Sequence, residues 1–174
     1  TALWHLRHGG VAQARTHLRR QRRSRHLPGD VELLDAGGHL MFEPWSVLDR
    51  APRRPGLRVA VVLDEFSLSA FGYEWDQVEV TPSTWRSLLE EQPVDLLFVE
   101  SAWHGNHDAW QFHLTGPSAP RPAFVELVQW CRAHGIPTVF WNKEDPAHYA
   151  DFLDSARLFD HVFTTDSTRI EQYR

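Results

Sequence analysis

Residues 57–174 predict an α/β domain, an open, doubly wound, mainly parallel sheet. Apolar runs of four to seven residues alternate along this stretch with helix-compatible segments of ten to twelve, the signature of repeated βαβ units. The runs are apolar throughout rather than alternately polar, as strands covered by helices on both faces must be. Right-handed crossovers between such strands leave an open, Rossmann-like sheet. A closed eight-fold barrel needs about 250 residues, more than the 174 present. In front of this unit lies an irregular, Arg-rich N-terminal extension, residues 1–56.

Within the extension, Val11–Arg25 is helix-friendly, with Val11, Ala14 and Leu18 at roughly helical spacing, and Pro28-Gly29 stops it. Val31–Pro44 carries two short apolar runs around Gly37-Gly38 and reads as a hairpin. Pro52, Pro55 and Gly56 form a linker. The first strand is Leu57–Leu63 (LRVAVVL), followed by polar Asp64-Glu65; Gln77–Val80 is a weaker one. Thr81 then caps a helix over Pro82–Gln92, with Pro at the first helical position. Val94–Val99 is a buried-type strand, and Ala123–His134 an amphipathic helix ended by Gly135. Thr138–Trp141 is the fourth strand, Ala147–Leu158 a helix opened by Asp145-Pro146, and His161–Thr164 the fifth strand. Ser167 begins a last helix.

Composition removes several function classes. One Cys excludes an internal disulfide framework and a zinc site of several thiolates. No run of about 18 apolar residues occurs, so no transmembrane segment is expected. Eight Trp and ten Phe exclude disorder. The expected setting is a reducing, cytoplasmic one, with the inner face of a membrane as a variant. The chain opens on Thr1 rather than Met, so an upstream start is expected. Seventeen of the 18 basic residues are Arg, and Lys143 is the only Lys. Residues 1–58 carry a net charge of +6 and residues 59–174 one of -11, which argues for different surroundings. The cluster Arg19, Arg20, Arg22, Arg23 and Arg25 suits phosphates or an acidic partner. It lacks the interleaved aromatics of a nucleic-acid binder, and no nucleic-acid partner is expected.

In open α/β sheets, ligands bind beyond the carboxyl ends of the strands. Four clusters follow those ends: Asp64-Glu65-Phe66-Ser67, Glu100 to Asn106, Asn142-Lys143-Glu144-Asp145, and Thr165-Asp166. Asp145, before Pro146, suits an N-cap carboxylate. Glu144 is free of that duty and is either a general base or the partner of Lys143 or an Arg. Glu100 ends an apolar strand, where a carboxylate needs a partner; it either binds a ligand or pins the next loop. Trp103 and Trp110 flank Gly105-Asn106, and their indoles either stack on a sugar-like ring or plug the loop onto the core. His104, His107 and His113 with Asp108 match no strong metal-ligand spacing, and no metal is expected. No G-x-G-x-x-G follows the first strand and no P-loop occurs, so no cofactor is expected either.

The segments VAVVLDEFSLSAFGYEW, LLFVESAWHGN and PTVFWNKEDPAHYADFLDSARLFDHVFTTD resemble the amino-terminal half of bacterial glycosyltransferases related to spore maturation protein B. The likeness runs from Leu57 to Arg174. It implies the acceptor-side half of a GT-B enzyme, which moves a sugar from a nucleotide-sugar to a glycan, cell-envelope or small-molecule acceptor. It also implies inactivity without a C-terminal donor-binding half. By that resemblance Glu100, Trp103, Gly105 and Asn106 match one motif, and Trp141, Asn142, Glu144 and Asp145 the other, as substrate-binding positions. An inverting transfer needs a base at the acceptor hydroxyl, for which Glu144 and His104 are the candidates; a retaining one need not have any.

Two rival readings come from other classes. One is a non-catalytic interaction module docking through the Arg-rich N-terminal helix. The other is a receiver-like or ligand-sensing α/β domain. In it Asp64 suits a phosphoacceptor poorly, because a second acidic cluster and a Lys ending the last strand are missing.

Overall fold

The computed structural model describes Val11 and residues 51–174. The Arg cluster, the hairpin at Val31–Pro44 and the N-terminal docking helix lie outside the described residues.

Five parallel strands form one sheet in the order β2-β1-β3-β4-β5. They are β1 (Arg54–Val62), β2 (Trp75–Glu79), β3 (Leu96–Glu100), β4 (Thr138–Asn142) and β5 (His161–Thr164). The helices are α1 (Glu65–Phe71), α2 (Trp85–Glu91), α3 (Pro122–Ala133), α4 (Tyr149–Ala156) and α5 (Ile170–Tyr173), the last preceded by a 3-10 turn over Ser167–Arg169. This is the doubly wound, Rossmann-like α/β fold the alternating pattern predicts. Among the described residues, no helix is long and apolar enough to cross a membrane.

Alternate residues of each strand point to opposite faces. Ala60, Val62, Leu97, Val99 and Phe140 enter one core, closed by Trp85 and Leu89 of α2, Phe124, Leu127 and Val128 of α3, and Phe152 of α4. Val59, Val61, Phe98 and Val139 enter the other, under Leu68 and Phe71 of α1. Fully burying each such large apolar side chain contributes about 1.5–3 kcal/mol. Phe71 stacks on Trp75 at 4.9 Å between ring centroids and meets Trp141 edge-on at 5.7 Å.

Cys131 is wholly enclosed in the first core, and burial pushes its thiol up to about 12. The native protein at pH 8 is therefore expected to resist a thiol-specific disulfide reagent and to react fully once denatured. Native labelling at the rate of a free thiol would show that α3 does not pack as described.

Among the differences from the sequence expectation, three have clear local reasons. The segment Glu65–Phe71 is helical without a sequence signal for it; seven residues are too few for periodicity to register. The helix expected from Pro82 starts at Trp85, because the Thr81 carbonyl accepts from both Thr84 and Trp85 N–H and closes a turn first. The helix expected from Ala147 starts at Tyr149, with His148 at the cap position. Asp145 is thus not an N-cap.

Candidate functional site

The strand order reverses between β1 and β3, so their carboxyl ends open a crevice at the topological switch point. Asp64 follows β1. One of its carboxylate oxygens accepts from the backbone N–H of His104 (3.1 Å) and Gly105 (2.9 Å). The other accepts from Trp103 N–H (3.2 Å) and from Lys143 Nζ (3.2 Å). Glu100, at the end of β3, is fully buried. Its carboxylate accepts from Asp64 N–H (2.6 Å), the Ser67 hydroxyl (2.5 Å) and Lys143 Nζ (2.9 Å). One ammonium thus bridges two carboxylates and joins the tips of β1, β3 and β4.

Electrostatics follow from this geometry. Burial pushes the Asp64 carboxyl up, but the N–H groups of Gly105 and His104 and the Lys143 charge outweigh it and hold it below its ordinary value. Burial likewise pushes Lys143 down, and its hydrogen bond and charge attraction to Glu100, with help from Asp64, outweigh that and hold it above. Lys143 is therefore an ammonium at neutral pH and has no free electron pair for nucleophilic or Schiff-base chemistry.

Above this tie the chain makes a left-handed turn, with positive φ at Gly105 (61°), Asn106 (44°), His107 (58°) and Asp108 (68°). Successive left-handed residues cost roughly 1–2 kcal/mol each outside glycine. Gly105 is required for a second reason, since a Cβ there would stand 2.9 Å from Cβ of Trp110. Asn106 holds the turn in place. Its side-chain oxygen accepts from Leu63 N–H (3.0 Å), and its amide donates to the carbonyls of Val61 (2.6 Å) and Val80 (2.7 Å). Its own N–H donates to Leu63 O at 2.7 Å. Trp110 Nε1 also donates to Val80 O (2.7 Å), so this buried indole plugs the loop onto the core.

The crevice is about 650 Å³ and is lined by Asp64, Glu65, Phe66, Trp103, His104, Gly105, His107 and Asp108. Its size falls within the usual span for small-molecule sites. Phe66 is 84% exposed at the rim. The Trp103 ring meets His148 and Phe152 edge-on at 5.0 and 5.1 Å, so it both packs on α4 and walls the crevice. His104 faces Asp108 at 2.7 Å and His107 faces Glu79 at 3.2 Å, both in solvent. No group of three or more His, Cys, Asp or Glu placed to hold a metal ion occurs among the described residues.

Of the sequence candidates, Trp103, His104 and Gly105 meet at the crevice, with Glu100 and Asn106 buried behind its wall. Trp141 lies on the α1 face of the sheet, packed among Phe71 and Phe98. Asn142 and Asp145 form a separate knot: Asp145 accepts from Asn142 (3.0 Å), Thr164 (2.5 Å) and Tyr173 (3.0 Å). Glu144 sits on the β4–α4 turn, its N–H donating to Ser101 Oγ (3.3 Å) and Asn142 Oδ1 (3.1 Å). Sequence reasoning missed Asp64 and Lys143 as a pair, although the solitary Lys was a usable signal.

No family model matches the chain, and no curated protein matches it. Among solved structures, it is similar to the receiver domain of the TMAO respiratory system response regulator TorR. The identity is 14%, the TM-score 0.34, and the match covers 67% of this chain and 89% of that one. A score that low carries no functional argument. These findings overturn the expected membership in the spore maturation protein B-related glycosyltransferases and the sugar-transfer activity it implied. The motif residues have a physical role that needs no shared chemistry, since Asn142, Lys143 and Asp145 tie strand tips and the chain's last helix together.

Proposed function

We propose that residues 51–174 act as a ligand-binding α/β domain whose site is the crevice at the β1/β3 switch point. The observation that carries this reading is the crevice itself, with a floor tied by Asp64, Lys143 and Glu100 beneath a rim of exposed side chains. Polar groups in the floor are already paired with one another, so the tie shapes the site rather than reacting in it. Trp103, His104 and Gly105 serve as wall and rim, while Glu100 and Asn106 position the backbone behind them.

Titrating the 15N-labelled full chain with a library of small polar and aromatic fragments tests the reading. Saturable shifts are expected at the amides of 64–66 and 103–108, and His107→Ala should weaken the best fragment several-fold. Saturable shifts confined to other surfaces, or none at all, would overturn it.

A further inference from the structure

The chemistry lining the crevice selects among ligand classes, and this inference rests on the binding role proposed above. The N–H groups of Trp103, His104 and Gly105 are all spent on the Asp64 carboxylate. The Lys143 ammonium is spent on Asp64 and Glu100. The side chains that line the space are of opposite character. Asp64, Glu65 and Asp108 line it, and Glu79 stands behind His107. Aromatic surface lines the same space: Phe66, exposed to 84%, the Trp103 indole and the imidazoles of His104 and His107. Phe66 has no role in either core, and solvation of so bare a ring is unfavourable unless something covers it.

Ring faces carry negative quadrupole density and attract cations, more strongly once the site is desolvated. Carboxylates at the rim supply the long-range attraction that draws a cation in. A hydrated metal ion is poorly served, because no three ligating groups converge among the described residues. A cation sheathed in carbon loses little hydration and gains contact with each ring.

We infer that the crevice binds an organic ammonium group, its alkyl substituents held by Phe66 and Trp103 and its charge faced by Glu65 and Asp108. Such a group exists both on free small molecules and on methylated lysine side chains, and the test separates the two.

The full chain is titrated by NMR with choline, with its uncharged isostere 3,3-dimethylbutan-1-ol, with acetate, and with N-acetyl-trimethyllysine methylamide. Choline or the lysine derivative should shift the Gly105 amide and the Trp103 indole saturably and bind at least tenfold tighter than the isostere. Whichever of the two binds tighter identifies the source. Phe66→Ser should remove most of that affinity and Glu65→Gln should reduce it several-fold; both positions are exposed, and unchanged spectra elsewhere confirm the fold. Equal binding of the isostere, or preference for acetate, overturns the cation assignment while leaving the crevice a binding site. Silence toward both ammonium probes overturns it as well. If the fragment library is also silent, the binding role falls with it.

Discussion

Replacing Lys143 with Met is expected to cost the fold about 3–5 kcal/mol, the usual penalty for removing one partner of a buried ion pair. The methionine side chain is of similar length, so packing changes little. What is lost is the cation that faces Glu100, whose carboxylate is wholly out of water. Urea unfolding at pH 7 measures the effect. The double variant Lys143→Met, Glu100→Gln should recover a large part of the loss, because the unpaired charge is then gone. A cost below about 1 kcal/mol in the single variant would show that water reaches Glu100 and that the tie is not closed.

The same substitution changes the response to pH in a direction that can be stated. Lys143 titrates higher in the folded chain than its ordinary 10.5, so its stabilisation is full below that value and is lost as pH rises through the folded one. Asp64 titrates below its ordinary 3.8, so its stabilisation is full above that value and is lost as pH falls through the folded one. The parent chain should hold its stability up to an alkaline limb beginning above about pH 10.5. Lys143→Met should lack the Lys143 share of that limb.

Asn106→Ala is expected to cost about 3–4 kcal/mol, since it strands two or more buried backbone groups at about 1–3 kcal/mol each. Leu63 N–H and Val61 O lose their side-chain partner, while Val80 O keeps the Trp110 indole. Alanine also bears the left-handed backbone at this position less readily than asparagine. Asn106→Asp should be at least as damaging at neutral pH, because a carboxylate would face two carbonyls it cannot donate to. Acidification toward its protonated form should recover part of that loss. Denaturant unfolding gives the energies, and amide exchange at Leu63 gives the location. Unaltered protection of the Leu63 amide in Asn106→Ala would refute the role assigned to the side chain.

The strands were legible because burial on both faces writes an uninterrupted apolar run, as in VDLLFV and TVFW. The fifth, His161–Thr164, was placed to the residue. α3 was legible because twelve residues are enough for a 3.6 period to repeat. The site was legible only as a set of strand ends. Asp64 and Lys143 lie 79 positions apart, and no local pattern says that one ammonium will span the tips of two other strands. Asn106 invited a ligand reading because a Gly-Asn loop residue has a free amide in sequence. In the fold that amide replaces the missing continuation of a strand ladder. Asp145-Pro146 carried a true turn signal, but the carboxylate turned toward Thr164 and Tyr173, partners that come later in the chain.

The tie at the strand tips divides labour across a few ångströms. Beneath the backbone, Asp64, Glu100, Asn106 and Lys143 each have an architectural duty. On the outer side, Glu65, Phe66, His104 and His107 answer to no such duty, since their contacts with the rest of the chain are solvent-facing. Substitutions there can retune what the mouth selects without reopening the question of whether the polypeptide folds. That makes this rim a natural place for specificity to diverge between copies of the domain.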